Sequence, residues 1–356
     1  KFQFDIVNLY ITKPRFIGNV DVKNVSFHFI PKNIHAEKIN VKLQFTQEAL
    51  IINKIAYKNK NNTIFIDGKI NNFLNLYYDA PEKMVVNWNI YCPSIDVRQF
   101  MGVLATSQKK KVNAKKPSMS QQLRNAIEKC VVDINLKADK ITYNKLTATN
   151  TKAQIQMIDS RLLIKNGSLQ TCGGSINFST TLSPNGKNYN FASNAQVNQV
   201  DITKFLKSFN NFGIKSFTPN NIRGQLTSTT NITGLIHNGE LVPNSTHGSL
   251  NFNVTHGALI NFEPIVKIGK FAFPFRDVKN ITFSDLSGSC KLRGELVDVN
   301  KLTISSSVLN LDAEGVYSFG RGTNMALTIP LRNSKDDAKL ATKAERDAVR
   351  DRGIVL

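Results

Sequence analysis

VNWNI, residues 86–90, alternates apolar Val86, Trp88 and Ile90 with the amides Asn87 and Asn89. A period of two places successive side chains on opposite faces of an extended strand, whereas a helix face needs spacings of three and four. The same signal surrounds this stretch on both sides. Val25, Phe27 and Phe29 share one parity, as do Val41, Leu43 and Phe45, and Ile64, Ile66 and Ile70 continue the pattern around Gly68. Further on come Val132, Ile134, Leu136 and Ala138, then Ala153, Ile155 and Met157, then Ile176, Phe178 and Leu182, and finally Leu250, Phe252 and Val254. The opposite parity is mostly Asn, Lys, Ser, Thr and Gln, so each strand has one apolar and one wet face. Asn-Gly, Asn-Asn and Gly-Gly pairs between the strands mark turns. The expected fold is therefore all-β with a few short helices, repeat-built, as an elongated curved antiparallel sheet forming a trough or as a sandwich.

Short helices are expected at 96–107, 118–130, 201–209 and 335–352. The last has Ser334 as a cap, Asp336 and Asp337 at its positive end, and Gly353 as its stop. An internal repeat organises the chain. SIDVRQFMGVL at 94–104 aligns with QVDITKFLKSF at 199–209, matching Asp96 to Asp201 and Phe100 to Phe205, with each Asp placed to cap the helix behind it. Upstream, KLQF ending at Phe45 matches QIQM ending at Met157, and ALII at Ala49 matches RLLI at Arg161. A third, more diverged copy starts near Ile222. Repeats that each bury a face against the next build an elongated stack. The expected organisation is a first β-unit over 1–107, a Lys-rich linker at 108–117, a second β-unit over 118–220, a C-terminal β-region over 221–333 and a peripheral helix over 334–356.

The chain carries 46 Lys and Arg against 26 Asp and Glu, a formal charge of +20. Such a bias attracts anionic surfaces, and the candidates are phospholipid, lipopolysaccharide and nucleic acid. Nucleic acid is disfavoured, because single-strand binders interleave basic residues with exposed stacking aromatics, whereas the Phe and Tyr here follow strand alternation. The lysines Lys109, Lys110, Lys111, Lys115 and Lys116 suit anionic headgroups, although a solvated loop explains them as well.

Signals for chemistry are sparse. Cys92, Cys130, Cys172 and Cys290 lack C-x-x-C spacing and read as buried small hydrophobes or as disulfide partners. His28, His35, His237, His247 and His256 form no ligand motif; His247 and His256 flank one strand and could approach each other. Gly173 with Gly174, and Gly320 with Gly322, read as hairpin turns rather than phosphate cradles. No nucleophile elbow occurs. No catalytic residue, cofactor or metal is expected, and no run of about 18 apolar residues is present.

From about residue 221 to 331, NIRGQLTSTTNITG, GALINFEPIVKIGKFAF, ITFSDLSGS and SSSVLNLDAEGVYSFGRGTNMALTIPLRN resemble the C-terminal region of AsmA-like proteins of Bacteroidetes type. The resemblance is strong over the last third of the chain and loose before it. It implies a periplasmic protein, hung from the inner membrane by a segment outside this chain, that carries or bridges phospholipid toward the outer membrane in a grooved β-structure without catalysis. Envelope protein partners fit that picture. Expected lipid contacts are the inward Phe27, Phe45, Trp88, Ile134, Ile155, Phe178, Phe191 and Phe252, together with Leu259, Phe262, Phe271 and Phe273 of the apolar GALINFEPIVKIGKFAF segment. That segment reads equally as ordinary packing of a short helix. The rival functions are an envelope scaffold that binds no lipid and a module binding lipopolysaccharide or an anionic glycan.

Overall fold

The computed structural model describes residues 3–5, 10–12, 17–29, 34–58, 62–76, 81–100, 129–214, 217–237, 240–272, 278–306, 310–318, 322–330 and 353–355. The fold is all-β, with two short α-helices among these residues. The chain divides into two compact units, one of residues 1–169, 178–191 and 236–240, the other of 170–177, 192–235 and 241–356. The Lys-rich segment 108–117 and the helix expected at 335–352 lie outside the described residues.

The first unit opens with a small hairpin of β1 (Gln3–Asp5) and β2 (Tyr10–Thr12). A sheet follows with β3 (Gly18–Phe29), β4 (Ile34–Phe45), β5 (Ala49–Lys58), β6 (Thr63–Asn71), β7 (Val85–Asp96), β8 (Val131–Tyr143) and β9 (Leu146–Ile158) paired in that order. Every step is antiparallel except β7 to β8, which is parallel and pairs Val85 with Val131. The sequence predicts an antiparallel sheet, and the other steps of this one keep to it. A parallel step needs a crossover of a dozen or more residues, and the connection between Asp96 and Val131 is long enough for one. The helix expected from Asp96 is a 3-10 turn, Val97–Phe100, as far as the described residues go.

β10 (Arg161–Thr171), β11 (Gly174–Asn185) and β12 (Asn188–Asp201) contribute residues to both units. Asp159 and Ser160, with φ of 50° and 59°, make the two-residue turn from β9 to β10. Positive φ at both positions gives the turn the twist of the strands it joins.

In the second unit, α1 (Ile202–Ser208) begins where the repeat predicts it, and Asp201 caps it by accepting a hydrogen bond from the Lys204 amide. Asp96 plays the corresponding part in the first copy, accepting from the Arg98 amide at 3.1 Å. After β13 (Ile222–His237) and β14 (Glu240–Leu241) come β15 (His247–Ile260), α2 (Glu263–Ala272), β16 (Asn280–Arg293), β17 (Leu296–Ser306), β18 (Asn310–Ser318), β19 (Asn324–Pro330) and β20 (Gly353–Val355). β13 pairs with β15, and β15 to β20 follow as an antiparallel meander.

Ile202 and Leu206 of α1 and Ile265 of α2 join Leu226, Val254, Leu259, Ile281, Leu286, Ile304 and Leu311 in one buried core. The first unit's core is smaller. It consists of Met84, Val86, Cys130 and Val132, with Ile70, Trp88, Ile134 and Met157 packed against it.

Candidate functional site

Register turns the alternation of the first unit into continuous apolar rows. Val20 lies beside Leu43, Leu43 beside Ile52, Ile52 beside Gly68, Gly68 beside Trp88, Trp88 beside Ile134 and Ile134 beside Ile155. A parallel row two positions along the strands runs from Phe45 through Leu50, Ile70, Val86 and Val132 to Met157. A third, on the other side, runs Val22, Val41, Ile55, Ile66, Ile90, Leu136, Ala153. Directly paired residues share a face, and strands stand about 4.8 Å apart, so the rows cover one face for roughly 29 Å across seven strands.

Most of this face is only half-buried. Ile52, Val86, Val132 and Ala153 are closed off from solvent, Val20 and Val22 are exposed, and the other apolar side chains of the rows keep part of their surface accessible. Trp88 contributes a further polar feature, because its indole Nε1 is buried without a hydrogen-bond partner. Gly68 lets β6 approach it. Its φ is +142°, and a Cβ there would stand 2.1 Å from the Asn87 carbonyl oxygen.

The opposite face is wet and internally paired. Asp67, Asn89, Asn135 and Gln154 form one cross-strand row. In it Asn89 donates to Asp67 and Asn135 donates to Asn89. Phe65 and Tyr91 stack on this side with ring centroids 6.1 Å apart, Lys54 over the first ring and Lys137 over the second. Tyr91 donates to Asp139 at 2.5 Å, and that hydrogen bond to a carboxylate raises the phenol's pKa above its ordinary value.

The second unit grades from closed to accessible along its own strands. The row Leu226, Val254, Leu286, Ile304, Leu311 is buried, and Ser228, Phe252, Gly288, Leu302, Ala313, Leu327 lies next to it. Two rows further along, Ile232, Gly248, Leu292, Val297 and Tyr317 are half-buried.

Of the expected lipid contacts, Phe45, Trp88, Ile134 and Ile155 come together on the apolar face of the first unit. Phe45 also meets Phe73 edge-on at 5.6 Å. Phe178 and Phe191 are half-buried residues of the same unit, and Phe178 lays its ring over Gly167, where a Cβ would come within 2.7 Å. In the second unit Phe252 covers Gly288 in the same way, Leu259 is part of the buried core, and Phe262 packs against that core at the start of α2. Phe27 pairs with Ala36 in register. The side chains of Phe27 and Phe271, and all of Phe273, Lys109, Lys110, Lys111, Lys115 and Lys116, lie outside the described residues.

Sequence reasoning missed Ile52, Leu50 and Ile55, which complete the rows, because alternation marks a face without giving its register. It also missed the aromatic-on-glycine pairs Phe178 with Gly167, Phe283 with Gly257 and Phe252 with Gly288. An isolated glycine inside a strand pattern was their available signal, since it marks a close approach.

His247 and His256 do not approach each other. Both lie on β15, nine residues apart along one strand, which separates them by up to roughly 30 Å. Among the described residues, no group of three or more His, Cys, Asp or Glu is placed to hold a metal. All four cysteines are free thiols; burial raises the pKa of Cys92 to about 11 and also raises those of Cys130 and Cys290. No helix among the described residues is long and apolar enough to cross a membrane. No protein-family model, curated protein or solved structure matches the chain.

Proposed function

We propose that the chain is a passive lipid-handling protein of the bacterial envelope, of the AsmA-like kind. Its apolar sheet face shields the acyl chains of phospholipid travelling between the inner and outer membranes. On this reading it works in the periplasm, tethered to the inner membrane by a segment outside this chain and assisted by envelope partners, without catalysis or cofactor. The observation that carries the reading is the seven-strand apolar row through Trp88, Ile134 and Ile155 with its neighbours, left mostly half-buried where a packed sheet would be closed. An accessible apolar face of this extent is costly unless something covers it. A lipid chain does so at a gain of about 0.8 kcal/mol per buried methylene, about 8 kcal/mol for ten of them. The strongly positive chain suits phosphate-bearing headgroups at the edges of such a face.

The test is native mass spectrometry with lipid extraction on protein purified gently from an envelope fraction. Phospholipid is expected to co-purify and to be lost from Ile134→Asp and Ile155→Asp. A clean protein that takes up no added lipid would leave a scaffold as the better account. The polar face supports a second reading, a site for lipopolysaccharide or an anionic glycan, because Phe65 and Tyr91 form a stacked platform with Lys54 and Lys137 above it. Displacement of the bound ligand by glycan but not by phospholipid would favour that alternative.

A further inference from the structure

Residues 210–213 wind left-handed. Asn210, Asn211, Phe212 and Gly213 have φ of 52°, 56°, 49° and 75°, a region that Gly and Asn enter readily and a bulky aromatic residue does not. The Asn211 side chain holds the turn, its Nδ2 donating to the carbonyl oxygens of Ile214 and Phe217, both at 2.7 Å. The Phe212 amide donates back to the Phe209 oxygen at 3.0 Å.

The effect is to lift Phe212 into solvent. Its ring stacks on Phe209 with centroids 5.1 Å apart and stands 5.7 Å from Phe205, yet 49% of the residue remains exposed. Phe205 packs against the buried core, so the aromatic stack rests on a firm base. A conformation this unfavourable for Phe persists only where its surroundings impose it, and such positions concentrate at functional sites.

Charge identifies what the ring meets. Residues 202–239 contain no Asp or Glu, while Lys204, Lys207, Lys215 and Arg223 fall among them. Lys204 and Lys207 are exposed on α1, directly before the turn; Lys204 also lies 3.5 Å from Asp201. A projecting aromatic ring beside lysines, with no acidic residue in the following stretch, matches a surface that is apolar beneath and anionic at its rim.

We infer that the Phe209–Phe212 turn and the lysines of α1 dock on an anionic phospholipid bilayer, with the Phe212 ring entering the acyl boundary and Lys204 and Lys207 meeting phosphates. The choice of a bilayer over an apolar pocket on a protein rests on the lipid-handling reading above. Co-sedimentation of the whole chain with vesicles tests it, using phosphatidylcholine alone and phosphatidylcholine mixed with phosphatidylglycerol.

The chain is expected to sediment with the mixed vesicles. Phe212→Asn, which suits the left-handed backbone, is expected to weaken this about tenfold while shifting the melting temperature by less than about 2 °C. Lys207→Gln is expected to cost about fivefold on mixed vesicles and nothing on neutral ones. Parental binding by Phe212→Asn would overturn the inference, as would absence of binding by the parent. A large fall in melting temperature would also do so, by showing that the ring serves the core. The two proposals fail separately. Phe212→Asn is expected to retain co-purified lipid, and Ile155→Asp to lose it while still binding vesicles.

Discussion

Glycine and aromatic residues act in pairs across the strands of both units. A Cβ at Gly288 would stand 2.6 Å from the Phe252 ring, and one at Gly257 would stand 2.3 Å from the Phe283 ring. Each ring occupies the space that a side chain at the glycine would take. Gly288→Ala is expected to push the Phe252 ring off its seat and cost about 1–3 kcal/mol, read from the midpoint of a urea titration. A midpoint unchanged from the parent would show that the ring has room to move. Thiol chemistry supplies a second expectation at this scale. Burial pushes the Cys92 thiol up to about 11, so its folded pKa lies above its unfolded value. The stabilisation from keeping it protonated is complete below the unfolded pKa, near 8.5, and is lost as pH rises through about 11. Alkylation at pH 8 is therefore expected to modify the half-buried Cys172 ahead of Cys92, Cys130 and Cys290.

At the scale of elements, β7, whose seam with β8 is parallel, is tied where it ends to the residue that precedes β6. Asn62, 1% exposed, accepts the Asp96 amide at 2.7 Å, while the Asp96 carboxylate takes two hydrogen bonds from the Arg98 guanidinium and one from the Arg98 amide. Removing the side chain in Asn62→Ala leaves a buried donor unsatisfied and is expected to cost about 1–3 kcal/mol. The side-chain hydrogen bonds from Arg98 hold the Asp96 carboxyl below its ordinary pKa against the opposing effect of burial. Its stabilising contribution is therefore present above about pH 3.9 and lost as pH falls through the folded value. An Asp96→Asn variant is expected to show a shallower loss of stability in acid than the parent. This seam also marks where sequence reading stops. The alternation of Val86, Trp88 and Ile90, and that of Val132, Ile134 and Leu136, identified both strands and their apolar parity. Nothing in either run specifies that they are parallel neighbours, because that depends on the path of the long connection between them. Asp96 and Asp201 were legible as caps, since a cap is a local hydrogen bond between residues two or three apart. Asn24, Asn150 and Asn166 each take a positive φ inside a strand and break the regular pleat there, which alternation does not signal.

At the scale of the whole molecule, the same apolar alternation has two different outcomes, and sequence alone does not separate them. In the second unit, Ile202 and Leu206 of α1 and Ile265 of α2 cover the sheet, leaving Val254 with no exposed surface. In the first unit, Ile134 and Ile155 lie on the apolar face of their strands and remain half-buried. Alternation records that one face avoids water; which groups come to cover that face is decided by tertiary packing. The difference gives a direct comparison of one substitution in two settings. A carboxylate at Val254 has no route to solvent and no partner, and Val254→Asp is expected to cost more than about 4 kcal/mol, enough to abolish cooperative unfolding of the second unit. A carboxylate at Ile155 keeps contact with water, and Ile155→Asp is expected to cost no more than about 2 kcal/mol and to leave the far-ultraviolet circular dichroism unchanged. Urea titration of the two variants beside the parent makes the comparison. Equal, severe losses would show that the first unit's face is a closed core like the second's, which would remove the basis for lipid binding there. A mild loss at Ile155 together with a severe one at Val254 means that the first unit holds its apolar rows ready for a ligand at little cost to its own stability.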